Sequence, residues 1–357
     1  MRTEDRRKAE ARLRALLPET YTGDDCLTEA GGALREKFPE ARAAIVVMDD
    51  TVDGLYGDKL ANSLMAAGFI VVKYMAPEGR EGKNISAVKD LLESIGNSHV
   101  DKRDILIAFG GGSLCDCTGF AAGSYMGGIP YVLFPTTLAA AVSSTVGGVS
   151  WLDLDAGEDL LSLKYPPAVV FCDTGVLNAL DQQMFCDGAA EMIRLGVLAS
   201  PTLLETLQYN YRNMLEDVIR NCMKIRASFY AGSEKEGDTA GLLHFGDTIG
   251  GILRRASRGK VSSGQALAVG MAVMSRAAYR SGMCSVETYA PIEKALLANC
   301  LPTGCRLTAE QFFGSIVMGQ PEENVIPLIL PVEPGRCAWY PMPVQKLREF
   351  LEAGLSD

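Results

Sequence analysis

Histidine is almost absent from this chain: its 357 residues include two, His99 and His244. Two imidazoles cannot build a zinc site of three histidines within one chain. Positively charged residues are outnumbered, with 34 Lys and Arg against 44 Asp and Glu, which gives a net charge of −10. This deficit argues against a surface that neutralises nucleic-acid phosphates or anionic lipid headgroups. We therefore expect neither nucleic acid nor membrane as a partner.

Cysteine pairs with C-x-x-C spacing and long apolar runs are also missing. The ten cysteines are scattered, and a chain of this length does not need disulfides, so we expect buried, reduced thiols. No run approaches the roughly 18 uninterrupted apolar residues that a spanning helix needs. The first residues mix acids with bases and lead into no apolar segment, unlike a secretory signal. These features predict a cytoplasmic protein.

Apolar runs alternate with helical patterns in the first half of the chain. Three runs, Ala43 to Met48, Phe69 to Val72 and Ile105 to Phe109, are separated by predicted helices at 56–67 and 85–95. Such runs are typical of strands buried on both faces, and the alternation is typical of a doubly wound parallel sheet. Runs at 131–134 and 168–172 are expected to add two strands.

Helical patterns replace the strand signals from about residue 175. The longest predicted helices cover 188–198, 203–230 and 265–281, and a Pro-rich stretch precedes a closing helix at 344–353. A further amphipathic helix is predicted at 6–17. The sequence thus predicts two domains: an α/β, Rossmann-like nucleotide-binding domain (1–174) and a mostly α-helical domain (175–357).

A glycine-rich turn follows the third predicted strand. The segment Gly110-Gly111-Gly112-Ser113-Leu114-Cys115-Asp116 opens a helix whose free N–H groups and dipole favour a pyrophosphate. Asp49 ends the first strand, where a carboxylate can accept from ribose hydroxyls, and Thr136 and Thr137 follow another strand. These features predict a nucleotide site. The alternative is structural: such a turn needs no ligand, Asp49 can cap a helix, and the threonines can make turns.

Several short motifs occur in one order along most of the chain. They include Gly110-Gly111-Gly112, Gly128-Ile129-Pro130, Pro135-Thr136-Thr137-Leu138, Val146-Gly147-Gly148 and Ala190-Glu191-Met192-Ile193-Arg194. In this order they resemble the 3-dehydroquinate synthase family of sugar phosphate cyclases. The resemblance implies an NAD-binding domain, a helical metal-binding domain and a homodimer. That family uses NAD for transient oxidation and zinc for substrate polarisation, and it converts a phosphorylated seven-carbon acid into a carbocycle with loss of phosphate.

The resemblance carries over well on the nucleotide side. The positions at which the family binds NAD are here Asp49, Glu81, Lys83, Gly111, Gly112, Ser113, Asp116, Thr136, Thr137 and Leu180. Two positions differ, since Thr51 replaces an asparagine and Ala179 replaces a threonine. We expect NAD to bind, with an affinity reduced by these changes.

The resemblance carries over poorly on the metal side. The family's zinc ligands are one Glu and two His; Glu191 matches the Glu, Asp247 replaces the first His and Ser263 replaces the second. Serine is a poor zinc ligand, so zinc of the family type is not expected. Glu191 and Asp247, with His244 nearby, could hold a weakly bound Mg or Mn ion. We favour the alternative that both carboxylates are solvated or paired with an arginine.

The positions that bind substrate in the family are changed as well. A family Lys-Asn pair becomes Glu158-Asp159, and another family Lys becomes Val149. Negative charge thus replaces positive charge where the family binds phosphate, and a phosphate dianion would be held poorly. The remaining candidates for catalysis are Arg194 and Arg226, which replace family lysines, Glu236, which matches a family acid, and His244, a candidate general acid or base.

Three functions fit these residues. The first is a non-catalytic homologue that keeps NAD and serves as a regulatory subunit or as the partner of another enzyme. The second is an NAD-dependent cyclase or lyase for a less anionic sugar or cyclitol, and the third is an ordinary 3-dehydroquinate synthase with unusual ligands. The missing zinc ligands favour the first, closely followed by the second. A polyol dehydrogenase, which shares the architecture, ranks low because those enzymes also use histidine-based metal sites.

Overall fold

The computed structural model describes residues 16–232, 239–319 and 324–356, together with Leu13. Most of the predicted helix at 6–17 lies outside these residues. The chain divides into two units, one ending at Asp181 and one beginning at Gln182. None of the ten cysteines, all of which lie in the described ranges, forms a disulfide, and most of them are buried, as predicted. Within the described ranges, no helix has both the length and the apolar character needed to cross a membrane.

The first unit is built on a parallel sheet. The sheet strands are β1 (Glu19–Gly23), β2 (Ala43–Met48), β3 (Ile70–Met75), β4 (Ile105–Gly110) and β5 (Tyr131–Pro135), and, after a hairpin of β6 (Val149–Leu154) and β7 (Gly157–Lys164), β8 (Val169–Asp173). Their order is β1-β8-β5-β4-β2-β3, and every pairing is parallel. The doubly wound sheet is therefore confirmed, whereas β1 and the hairpin were not predicted.

Helices of the first unit connect and cover these strands. They are α1 (Cys26–Lys37), α2 (Asp58–Ala66), α3 (Ile85–Asn97), α4 (Gly112–Ser124), α5 (Leu138–Ser143) and α6 (Thr174–Asn178), with a short helical turn at Asp50–Val52 and a π-helical turn at Asp53–Gly57 before α2. Because all the strands are parallel, each connection returns the chain to the same end of the sheet. The carboxyl ends of β2, β4 and β5 therefore meet at one edge.

The centre of the sheet is apolar on both faces. All residues of β2, β4, β5 and β8 are buried. Aromatic rings from neighbouring strands stack across the sheet: the centroids of Phe134 and Phe171 lie 4.6 Å apart, and those of Phe171 and Tyr21 lie 4.8 Å apart. Such stacking adds to the stabilisation from burial.

The second unit is mostly helical, with one hairpin. Its elements are α7 (Gln182–Ala199), α8 (Pro201–Thr206), α9 (Leu215–Gly232), α10 (Asp247–Ser257), α11 (Ser263–Arg280), α12 (Val286–Ala298), α13 (Ala309–Gly319), β9 (Val325–Glu333), β10 (Arg336–Pro343) and α14 (Val344–Leu355). The predicted helix at 203–230 was wrong, because the chain turns between α8 and α9, where the Asn210 side chain accepts a hydrogen bond from the backbone N–H of Arg212 at 3.2 Å. The Pro-rich stretch forms β9 and β10. Each strand of a two-stranded ribbon has an open edge, where a missing N–H is tolerated.

Glycines bring α10 and α11 into backbone contact. A Cβ on Gly270 would lie 2.0 Å from the carbonyl oxygen of Gly246, and a Cβ on Gly250 would lie 2.7 Å from that of Ala266. Gly246, the residue before α10, has a φ of +93°, which favours glycine. This close crossing fixes the position of Asp247, the first residue of α10.

Candidate functional site

The start of α4 forms an open N-terminus at the carboxyl edge of the sheet. No side chain caps this helix at Gly111, so N–H groups of its first turn are available to a ligand. Gly111 has an ordinary φ of −77°. A Cβ on Gly111 or Gly112 would lie no closer than 3.4 Å and 3.8 Å, respectively, to its nearest neighbour. Neither strain nor packing requires these two glycines, and close approach of a ligand is a physical reason for them.

Lys83 lies among carboxylates beside this helix. Its Nζ is 2.8 Å from a carboxylate oxygen of Asp116 and 2.5 Å from one of Asp159, and its side chain is almost fully buried. Burial raises the pKa of Asp116, and the charge of Lys83 opposes that shift without cancelling it. Two predicted NAD-binding residues, Lys83 and Asp116, are thus brought together, and Lys83 also pairs with Asp159 on the β6–β7 hairpin.

Arg80 is a member of this cluster that sequence reasoning missed. Its Nε and Nη2 each donate to the carboxylate of Asp153 at 2.8 Å. The backbone N–H of Asp159 donates to the same carboxylate at 2.8 Å. Burial raises the pKa of Asp153, but these hydrogen bonds outweigh it and the pKa is lowered. The apolar and β-branched residues of Val149–Leu154, broken only by Ser150 and Asp153, were the available signal for a strand carrying Asp153.

The other predicted NAD-binding residues have mixed surroundings. Asp49 accepts from the N–H of Val52 at 2.8 Å and so caps the turn after β2, and Thr137 caps α5 through the N–H of Ala140 at 3.2 Å. Thr136 is buried. Ser113 and Leu180 are half-buried, and Glu81 is exposed. Asp49 and Thr137 therefore have structural roles as caps. A capping carboxylate still has a second oxygen that can accept a hydrogen bond from a ligand.

In the second unit, Arg194 connects the two carboxylates predicted as metal ligands. Its Nη2 is 2.6 Å from Oε2 of Glu191, and its Nη1 is 2.9 Å from Oδ1 of Asp247. The Arg194 side chain exposes 7% of its surface, while those of Glu191 and Asp247 expose 19% and 44%. Burial lowers the pKa of Arg194, but the two carboxylates outweigh it and raise the pKa. This arginine is charged and held at two points.

His244 and Arg226 complete the cluster around these carboxylates. The Nδ1 atom of His244 lies 2.9 Å from Oδ2 of Asp247, and the imidazole is largely exposed. Arg226 Nη1 lies 3.9 Å from Oε2 of Glu191. Burial raises the pKa of Asp247, but Arg194 and His244 lower it more, and the net shift is downward. Three of the four predicted catalytic residues therefore lie around two carboxylates; the fourth, Glu236, lies outside the described residues.

Some buried donor groups of the two arginines make no hydrogen bond to the described residues. They are Nε of Arg194 and both Nε and Nη1 of Arg226. Buried guanidinium N–H groups are normally satisfied by protein, water or ligand. The cluster therefore has donor capacity that the described residues do not use.

Ser263 is the exposed first residue of α11. The adjacent Ser262 caps this helix, since its Oγ accepts from the N–H of Gln265 at 3.1 Å and its own N–H donates to the Gln265 side chain at 3.2 Å. Across the described part of the chain, no three His, Cys, Asp or Glu side chains are grouped so that they could hold a metal ion.

Models of one family match consecutive segments of the chain. The model described as 3-dehydroquinate synthase N-terminal matches residues 73–187, and that described as 3-dehydroquinate synthase C-terminal matches 188–319. The 3-dehydroquinate synthase of Symbiobacterium thermophilum is 31% identical over 270 residues, 74% of this chain and 75% of that protein. That of Clostridium kluyveri is 29% identical over 338 residues, 91% of this chain and 92% of that protein.

Solved structures share the fold. A 2-deoxy-scyllo-inosose synthase complexed with carbaglucose-6-phosphate, NAD+ and Co2+ superposes with a TM-score of 0.79 at 23% identity, covering 94% of this chain and 96% of that one. A 2-epi-5-epi-valiolone synthase from Streptomyces hygroscopicus subsp. jinggangensis 5008 with NAD+ and Zn2+ bound gives a TM-score of 0.82 at 21% identity, covering 94% and 95%. The parallel sheet, the helical second unit and the matches in both segments agree, and the chain belongs to the 3-dehydroquinate synthase family.

Proposed function

We propose that this family member binds NAD but has neither the family's zinc site nor its phosphate-binding cations, and that it does not make 3-dehydroquinate. On this proposal the chain acts as a non-catalytic homologue. Its role is then to be a regulatory subunit or the partner of another enzyme, in the cytoplasm and as a homodimer.

The observation that carries this proposal is the position of Arg194. Its guanidinium donates to Glu191 at 2.6 Å and to Asp247 at 2.9 Å, so the two carboxylates at the family's ligand positions share a cation that belongs to the protein. A fixed positive charge repels a dication, and Arg is charged at every working pH. The third ligand position is the neutral, exposed hydroxyl of Ser263. Zinc in proteins takes Cys, His and carboxylate ligands, so the Ser263 hydroxyl does not fit it, and the two carboxylates that would fit are already paired with Arg194.

The first unit fits NAD better. The uncapped start of α4 offers N–H groups to a pyrophosphate, and Gly111 and Gly112 leave its approach open. Lys83, which pairs with Asp116 and Asp159 in the structure, would supply a positive charge. When bound, NAD supplies hydride chemistry. The residues of this chain bind and orient it.

The buried arginine N–H groups favour a second candidate function. Arg194 and Arg226 have three buried nitrogen atoms that make no hydrogen bond to the described residues, and the exposed His244 lies beside Asp247. Hydroxyl groups of a sugar or cyclitol would satisfy such donors without requiring a phosphate. An NAD-dependent cyclase or lyase for a less anionic substrate is therefore the alternative.

Turnover and binding assays test the proposal. Calorimetry of the full chain with NAD should give a binding isotherm. The family's phosphorylated substrate, with NAD and zinc added, should release no phosphate. Phosphate release that disappears in Glu191→Ala would overturn the proposal and identify an ordinary 3-dehydroquinate synthase. If a sugar or cyclitol is turned over, loss of that activity in His244→Ala would favour the alternative, and unchanged activity would remove the role of His244.

A further inference from the structure

A cavity at the far end of α10 is separate from the arginine cluster. It has a volume of about 530 Å³ and lies between the end of α10, the start of α11 and the loop at 302–307. Leu253 is the residue of α10 in the cavity wall that is nearest in sequence to Asp247, the first residue of the helix. Six steps of about 1.5 Å separate these two residues by about 9 Å. A ligand in this cavity would therefore not contact the carboxylates held by Arg194.

The walls of the cavity are largely apolar. Leu253 and Val269 are buried in its interior, and Val261 and Leu307 are half-buried at its margin. The volume lies within the range of about 300–1,000 Å³ that is usual for small-molecule sites. An aliphatic or aromatic group of a ligand would bind favourably here, because it would remove the apolar surface of the half-buried side chains from water.

The charges around the cavity have one sign. Lys260 and Arg306 line it and are exposed, and none of the described residues that line it carries a carboxylate. This local excess of positive charge contrasts with the net charge of −10 of the whole chain. The helix dipole accounts for cations in the last turn of α10, where Arg254 and Arg255 lie. It does not account for Lys260, which follows the helix, or for Arg306, which belongs to a separate loop.

We propose that this cavity binds a small amphipathic anion, with its apolar body against Leu253, Val261, Val269 and Leu307 and its carboxylate between Lys260 and Arg306. Arginine suits a carboxylate because its planar fork can donate two parallel hydrogen bonds, and lysine adds a point charge. An amphipathic cation of the same size fills the same apolar space but meets two like charges. The sign of the ligand's charge is therefore the distinguishing property.

Calorimetry with matched eight-carbon probes tests this proposal on the full chain. Octanoate should bind, octan-1-ol should bind more weakly, and octylammonium should not bind. The double variant Lys260→Gln/Arg306→Gln should weaken octanoate binding about three- to tenfold, as expected for two partly solvent-exposed ion pairs, and the difference should shrink at high salt. The control Lys224→Gln/Lys346→Gln makes the same change of charge at exposed lysines outside the cavity and should have no effect.

A second variant tests the apolar part without altering charge. The larger side chain of Leu307→Trp should fill the cavity and abolish binding of octanoate. The melting temperature and NAD binding should be retained. The proposal is overturned if octylammonium binds as tightly as octanoate, if octanoate does not bind, or if the two double variants have equal affinity.

Discussion

Replacing Asp159 by asparagine should strengthen NAD binding. Asp159 lies on the β6–β7 hairpin and places a carboxylate oxygen 2.5 Å from Nζ of Lys83. A nucleotide that uses Lys83 must compete with this carboxylate. Asparagine is nearly the same size but cannot form the ion pair, so Asp159→Asn releases Lys83 while keeping its contact with Asp116 at 2.8 Å.

The size of the effect follows from the exposure of the pair. Lys83 exposes 9% of its side chain and Asp159 exposes 44%. Fully exposed ion pairs contribute about 0.2–1 kcal/mol, and this half-exposed pair should lie at the upper end, about 1 kcal/mol. Because about 1.4 kcal/mol corresponds to a tenfold change in affinity, NAD should bind roughly fivefold more tightly to Asp159→Asn.

Isothermal titration calorimetry with NAD measures this change. The matched control is Asp155→Asn, which removes the same charge at an exposed position at the tip of the same hairpin. The dissociation constant should fall for Asp159→Asn and stay near the wild-type value for Asp155→Asn. Equal behaviour of the two variants would refute the reasoning, because it would show that Lys83 is not the group for which the nucleotide competes.

Three further changes test other parts of the structure. Arg194→Met removes the buried cation that joins two carboxylates and should lower the free energy of unfolding by about 3 kcal/mol in urea titrations, and MnCl₂ should raise the melting temperature of this variant alone. Gly270→Ala introduces a Cβ 2.0 Å from a carbonyl oxygen and should destabilise by about 3 kcal/mol, whereas Gly314→Ala, with open space around it, should be neutral or slightly stabilising; equal stabilities would contradict the close helix crossing. Glu293→Gln breaks the 2.7 Å contact with Arg276 and should cost about 1–3 kcal/mol at neutral pH. Burial raises the pKa of Glu293, but hydrogen bonds from a tyrosine and from Arg276 lower it more, so the net shift is downward. The stabilisation from Glu293 is therefore present above the pKa of the unfolded chain and is lost as the pH falls through the lowered pKa of the folded protein. The free energies of unfolding of the wild type and of Glu293→Gln should converge in acid.

The sheet could be predicted from the sequence because its central strands are buried on both faces. Ala43–Met48 and Ile105–Gly110 are apolar throughout and stand out from their neighbours. β1, with the sequence Glu-Thr-Tyr-Thr-Gly, carries no such run, and it becomes a strand because β8 offers a parallel partner. The hairpin of β9 and β10 was missed because its prolines signal a loop. Pairing at open edges, which depends on tertiary context, allows them.

The residues of the candidate site could be predicted from the sequence, but which of them pair with each other could not. The motif order identified Glu191 and Asp247 as paired positions, although they are distant in sequence. That Arg194 would lie between them depends on how α7 approaches the start of α10. Arg194 donates a hydrogen bond to Glu191 in the same helix, but it also donates one to Asp247, which lies 53 residues later in the sequence. Likewise, nothing local to Lys83 indicated Asp159 as its partner, because the hairpin that carries Asp159 had not been predicted.

Metal analysis of the purified full chain, expressed with zinc in the medium, tests the central claim most directly. If Arg194 occupies the place between Glu191 and Asp247, the zinc content should be far below one equivalent per chain, and calorimetry with zinc should show no tight site. One tightly bound zinc per chain, lost in both Glu191→Gln and Asp247→Asn, would contradict the account.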